Sequence, residues 1–184
     1  MPRTIVWLLV VALLAACRPA VAPTPTASEV TVSFSLQSSA FAAGGTIPKP
    51  HTCDGADQSP PLAWSQLPGG TKSLSLIVED PDAPGGTFVH WVIYNLPANT
   101  NELSSGVAKQ AELPNGARQG RNGFRRVGYG GPCPPPGSPH HYVFHLYALS
   151  GPVDLTSGAA ASELRTAMAG RILGEAQLIG VYGR

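Results

Sequence analysis

Charge is scarce in this chain: Asp, Glu, Lys and Arg make up 12% of its 184 residues, and aromatic residues only 7%. The formal net charge is +1, and removing an N-terminal leader with Arg3 leaves 11 basic residues against 11 acidic ones. A near-neutral protein has no global field to attract nucleic acid. Cysteines number three, none in a Cys-x-x-Cys pair, which disfavours a structural zinc site. No G-x-S-x-G is present, so the nucleophile elbow of a serine hydrolase is missing. No apolar run approaches the roughly twenty residues a membrane-spanning helix needs. Nothing in the sequence calls for a cofactor. Glycine (21) and proline (19) are abundant instead, while the apolar content of 43% is ordinary. That combination favours a turn-rich β protein over disorder.

The N-terminus reads as an export signal. Arg3 precedes an uncharged apolar run, Ile5 to Ala16, of the length of a secretory h-region. It ends in L-A-A-C, Leu14 to Cys17, the pattern of a bacterial lipoprotein signal in which the cysteine is lipidated. The expectation is a signal peptide over 1–16 and lipidation at Cys17. A Pro/Thr tether over 17–29 then holds a single domain, 30–184, outside the cytoplasm on a membrane. The plainer alternative is an ordinary signal peptide with Cys17 an incidental thiol.

The rest of the chain reads as strands. V-T-V-S-F-S-L-Q, Val30 to Gln37, alternates strictly, and Leu62–Trp64 and Leu74–Val78 follow as further strands. Phe88–Asn95 and His141–Leu149 are nearly continuous apolar runs and should be central strands buried on both faces. One helix is expected over Ala159–Leu173, with Leu164, Met168 and Ile172 on one stripe. Thr156 or Ser157 would cap its start and Gly174 would end it. Ala176–Tyr182 alternates again as a last strand. The fold expected is mostly β, a sandwich or barrel-like domain with minor helix.

Polar chemistry concentrates in two stretches, Glu79–Trp91 and Gly130–Tyr142. The first holds D-P-D-A-P, with Asp80 and Asp82, followed by His90; the second holds Pro134, Pro135, His140, His141 and Tyr142. His140 and Tyr142 are two apart on a strand, so they face the same way. Imidazoles and a phenol suit a phosphate or carboxylate, and Asp80 would orient a histidine or receive an ammonium group. Taken singly, each residue also fits a blander role: a turn aspartate, a satisfied core histidine, a structural proline loop. Arg118, Arg121, Arg125 and Arg126 form the one basic cluster, either a solvated loop or a contact for anionic headgroups.

H-T-C-D-G-A-D-Q-S-P-P-L-A-W, D-P-D-A-P-G-G-T-F-V-H-W-V-I-Y-N-L-P, G-Y-G-G-P-C-P-P-P-G-S-P-H-H-Y and the ending L-I-G-V-Y-G-R together resemble the bacterial branch of the phosphatidylethanolamine-binding protein, or Raf-kinase-inhibitor-like, family. The resemblance covers nearly all of Phe34 to Arg184. It implies a β sandwich with an anion pocket at one end, and a ligand set of Asp80, Asp82, His90, Pro134, Pro135, His140 and Tyr142. Three departures stand out: His141 replaces the middle arginine of an H-R-Y triplet, R-N-G-F-R-R replaces a loop usually of R-N-D-F-G type, and Arg171 stands where a helix histidine is common. Cys53 and Cys133 would be bridged in an oxidising compartment, or would be two separate buried thiols as in members without export signals.

Three function classes follow. The first is a membrane-tethered binding protein for phosphorylated or zwitterionic small molecules or lipid headgroups. The second is an inhibitor or regulator of another protein, such as a protease, whose identity the sequence leaves open. The third is a phosphoester hydrolase using a His/Asp pair.

Overall fold

The computed structural model describes residues 33–184. The leader, Cys17, the tether and residues 30–32 of the first expected strand lie outside the described residues. Among those described, two antiparallel sheets stack face to face. The smaller has the order β1–β2–β5, from Ser35–Gln37 (β1), Leu62–Ser65 (β2) and Glu102–Leu103 (β5). The larger is built from Ser73–Asp80 (β3), Phe88–Pro97 (β4), Arg118–Gln119 (β6), His140–Leu149 (β7) and Ile172–Tyr182 (β8), in the order β6–β4–β3–β7–β8. This is the mostly β sandwich that the strand pattern suggests.

Between the sheets lies the main core. It includes Leu36, Trp64, Leu74, Leu76, Val78, Trp91, Ile93, Phe144, Leu146 and Leu178. Each large side chain fully removed from water contributes about 1.5–3 kcal/mol, so this layer dominates stability. The outer face of the larger sheet carries a second core, in which Ile77, Val92, Tyr94, Tyr147 and Leu149 pack against the helix Ala161–Met168 (α1) through Leu164 and Met168. Strands β3, β4 and β7 are thus covered on both sides, which explains their continuous apolar runs.

The helix differs from its expected span at both ends. Ala160 precedes it, with its N–H bonded to the Glu163 carboxylate at 2.7 Å, while the Thr156 carbonyl accepts the Tyr94 hydroxyl and takes no capping role. The helix stops at Met168 because Gly170, at φ +74°, makes the left-handed turn that only glycine takes without cost. Arg171 therefore falls beyond it. Ile172 and Leu173 open β8, 47% and 42% exposed, because pairing with β7 begins at Ile172 opposite Leu149. Gly174 serves a different end: a Cβ there would meet the Pro68 ring at 2.7 Å.

Candidate ligand-binding site

Topology brings the two polar stretches together. β3 lies between β4 and β7 and is antiparallel to both, so its last residues sit beside the first residues of its neighbours. Asp80 pairs with Phe88 and Glu79 with Val143, which sets Asp80, His90 and His140 at one end of the sandwich.

A bulge then aims the histidine. Val78 pairs with Trp91 but Glu79 pairs with Val89, so His90 is the extra residue on β4. In an unbroken strand His90 and Trp91 would face opposite ways. The bulge lets both point inward, Trp91 into the core and His90 toward the pocket, as bulges next to binding sites often do.

The pocket encloses about 170 Å³ and is lined by Asp80, His90, His140, Pro134, Pro135 and Phe88, with Ala83, Pro84, Phe124 and Cys133 completing the wall. That is an order of magnitude above the roughly 10–15 Å³ that admits one water. Larger hollows exist elsewhere, one of about 510 Å³ beside β1, β2 and β5, but Glu102 is its sole charged group. Among the described residues no cluster of three or more His, Cys, Asp or Glu side chains is set for a metal ion.

Each polar group has a defined orientation. Asp80 is 3% exposed, and its two oxygens face the protein: Oδ1 accepts the Asp82 N–H at 2.9 Å and Oδ2 accepts the His140 Nδ1–H at 2.8 Å. His140 is thereby fixed with Nε2 as its remaining polar atom. His90 donates Nδ1–H to the Gly130 carbonyl at 2.7 Å, which likewise leaves Nε2. Burial pulls the His90 pKa below the ordinary histidine value, against the opposing pull of the Gly130 bond and the Asp80 charge. The histidine beside Asp80 is thus His140, and His90 is the one kept neutral. Tyr142 stands edge-on to the His90 ring, centroids 5.1 Å apart. Its hydroxyl is sealed from solvent without a well-formed hydrogen bond, close to Asp80 and the Cys133 backbone, and burial followed by the Asp80 charge raises its pKa; Tyr142 backs the His90 ring and is not part of the pocket lining. Ser73 and Ser75, also unpaired, lie farther back along β3.

Asp82, like Tyr142, falls outside the pocket lining. It accepts the backbone N–H of His141 at 2.8 Å and its Nδ1–H at 2.7 Å on the exposed side. The two aspartates sit in a turn, where the period-two rule that aligns His140 with Tyr142 does not apply. Cys53 and Cys133 are joined by a disulfide, with Cα atoms 5.4 Å apart, so the proline loop is tied to the 49–54 turn.

Phe88 and Phe124 line the pocket too, and the strand and loop patterns gave no sign of it. They meet edge to face at 4.7 Å, and Phe88 also packs on His90 at 5.1 Å. The signal that could have found them is Gly123: a Cβ there would lie 2.5 Å from the Phe88 ring.

The model of the phosphatidylethanolamine-binding protein family matches residues 37–183, nearly the whole of this sandwich. The chain belongs to that family. A UPF0098 protein of Methanothermobacter thermautotrophicus is 48% identical over 151 residues, covering 82% of this chain and 99% of the relative. A Mycobacterium tuberculosis relative, provisionally named lipoprotein LppC, is 38% identical over 164 residues, covering 89% of this chain and 77% of its own. The crystal structure of Escherichia coli YbcL, described as a member of the mammalian PEBP family, superposes with a TM-score of 0.78 at 34% identity, covering 83% of this chain and 99% of that one.

Proposed function

We propose that this protein is a lipid-anchored, extracytoplasmic binding protein whose pocket takes a small anionic group such as a phosphate or phospho-headgroup. The observation that carries the reading is the convergence of His90 and His140 on one pocket of about 170 Å³, with their Nδ1 atoms tied to the Gly130 carbonyl and to Asp80. Each ring is left with Nε2 to meet a ligand oxygen. Asp80 does not oppose an anion, because both its oxygens are engaged by protein N–H groups and its charge backs the His140 ring. His140 Nε2, left over from the bond to Asp80, is the polar atom that ring offers the ligand. His90 Nε2, neutral at rest, accepts from a ligand hydroxyl or takes up a proton as the anion binds.

Anchoring is supported by L-A-A-C at Leu14–Cys17 and by the name of the Mycobacterium tuberculosis relative. Among the described residues no helix is long and apolar enough to cross a membrane. Cys17→Ser should move the protein out of the membrane fraction; unchanged fractionation would refute lipid anchoring.

His90→Gln tests the pocket. It removes one of the two imidazoles, so phosphate or phosphoethanolamine affinity should fall several-fold in a protein that still folds. Unchanged affinity in the folded variant would contradict the reading.

A further inference from the structure

We infer that the anion pocket is one half of a bipartite site, and that the groove on the other side of Phe88 receives a second anionic group of the same ligand. The inference rests on the pocket reading above and extends it to a ligand class: small molecules with two separated anionic groups.

Phe88 is the shared wall. It lines the pocket with His90 and His140, and it also lines a groove of about 480 Å³ on the outer side of the sheet, between β4, the 121–123 loop and the start of α1. Gly123 lets the ring lie across the sheet edge, since any side chain at that position would strike it. Phe88 is the residue the two linings share, so a ligand that reaches both hollows has to cross its ring.

The groove's chemistry is cationic. Arg121 lines it, and among the described residues its guanidinium makes no hydrogen bond or ion pair. Arg165 lines it as well, paired with Glu79 and donating to the Tyr147 hydroxyl at 3.1 Å. Glu79 is therefore paired, and Glu163, which accepts the Ala160 N–H, does not line the groove, so Arg121 is the lining charge left without a counter-ion. Arg125 and Arg126 stand on the same loop. From Leu113 to Val153 the chain contains no acidic residue at all.

The loop is built before any ligand arrives. Asn122 Oδ1 accepts the N–H groups of Phe124 and Arg126 at 3.0 and 3.1 Å, and its Nδ2 donates to the Gly128 carbonyl at 2.9 Å. The Arg121 N–H donates to the Ala159 carbonyl at 3.1 Å, tying the loop to the approach of α1. Preorganisation of this kind reduces the ordering cost of binding, and a guanidinium offers a fork of donors suited to phosphate.

The test is calorimetric titration of the full-length protein with inorganic phosphate, alkyl monophosphates and alkane-1,ω-bisphosphates of matched length. At least one bisphosphate should bind tenfold or more tightly than its monophosphate counterpart. Arg121→Ala should erase that advantage and leave inorganic phosphate affinity within twofold, while Arg121→Lys keeps part of it. If phosphate binds but no bisphosphate exceeds its monophosphate, or if the advantage survives in Arg121→Ala, the bipartite site is overturned and the pocket stands. If inorganic phosphate itself fails to bind, the pocket reading falls and the bipartite site with it.

Discussion

His140 donates its Nδ1–H to Oδ2 of Asp80 across 2.8 Å, in a pair whose side chains are only 10% and 5% exposed. The pair serves both fold and pocket. His140→Ala would leave a buried carboxylate without its partner, a loss of about 3 kcal/mol or more. Asp80→Asn with His140→Ala together should cost clearly less than the sum of the single changes. Additive effects in chemical denaturation would show that the two side chains act independently.

Arg125 occupies a left-handed backbone conformation, φ +61°. An arginine pays about 1–2 kcal/mol for that region, partly offset because glycine loses more freedom on folding. Arg125→Gly should therefore stabilise the protein by about 0.5–1 kcal/mol in denaturant titration. A clear loss of stability would mean that the arginine makes contacts which outweigh the strain.

The Cys53–Cys133 bridge closes a span of 80 residues. Loop-closure entropy makes such a link worth about 4.5 kcal/mol. Both cysteines are exposed, so reduction in the native state is feasible. Dithiothreitol should lower the melting temperature strongly and weaken anion binding, because Cys133 and the adjoining prolines form the pocket wall. Unchanged affinity in a still-folded, reduced protein would show that the loop keeps its shape without the link.

Much of this site was legible in the residues because strand periodicity is strict. His140 and Tyr142, two apart, share a face, and D-P-D-A-P marks a turn whatever surrounds it. The β-bulge at His90 was not legible, since nothing in F-V-H-W-V-I-Y-N says which residue is the extra one; the pairing partner decides. Phe88 and Phe124 looked like scaffold because their role depends on Gly123 lying opposite. The helix ended early for a similar reason. Ile172 fits the apolar stripe of α1, but pairing with Leu149 claims it for β8. Strands β5 and β6, two residues each, are too short to carry any pattern.

His90 has its pKa lowered by burial, so it is neutral in the folded protein where an unfolded histidine would already be charged. Between its folded pKa and about 6.5, the unfolded state binds more protons than the folded one. The His90 contribution to stability is therefore fully present above about pH 6.5 and is lost as pH falls through the folded value. An anion in the pocket favours the charged ring, so sulfate, which does not titrate in this range, should bind more tightly as pH falls from 7.5 towards that value, with net proton uptake. His90→Gln should flatten both profiles. Sulfate affinity independent of pH in the unaltered protein would show that His90 takes no proton on binding.

The most direct test of the central claim is a titration of phosphoethanolamine followed through histidine ring signals by NMR. Three of the five histidines provide internal controls: His51, bonded to the Gln58 carbonyl, His141, held by Asp82 on the exposed side, and His145, held by Glu175. The account predicts saturable shifts at His90 and His140, with the remaining three signals nearly still. Shifts absent at His90 and His140, or of equal size at His145, would contradict it.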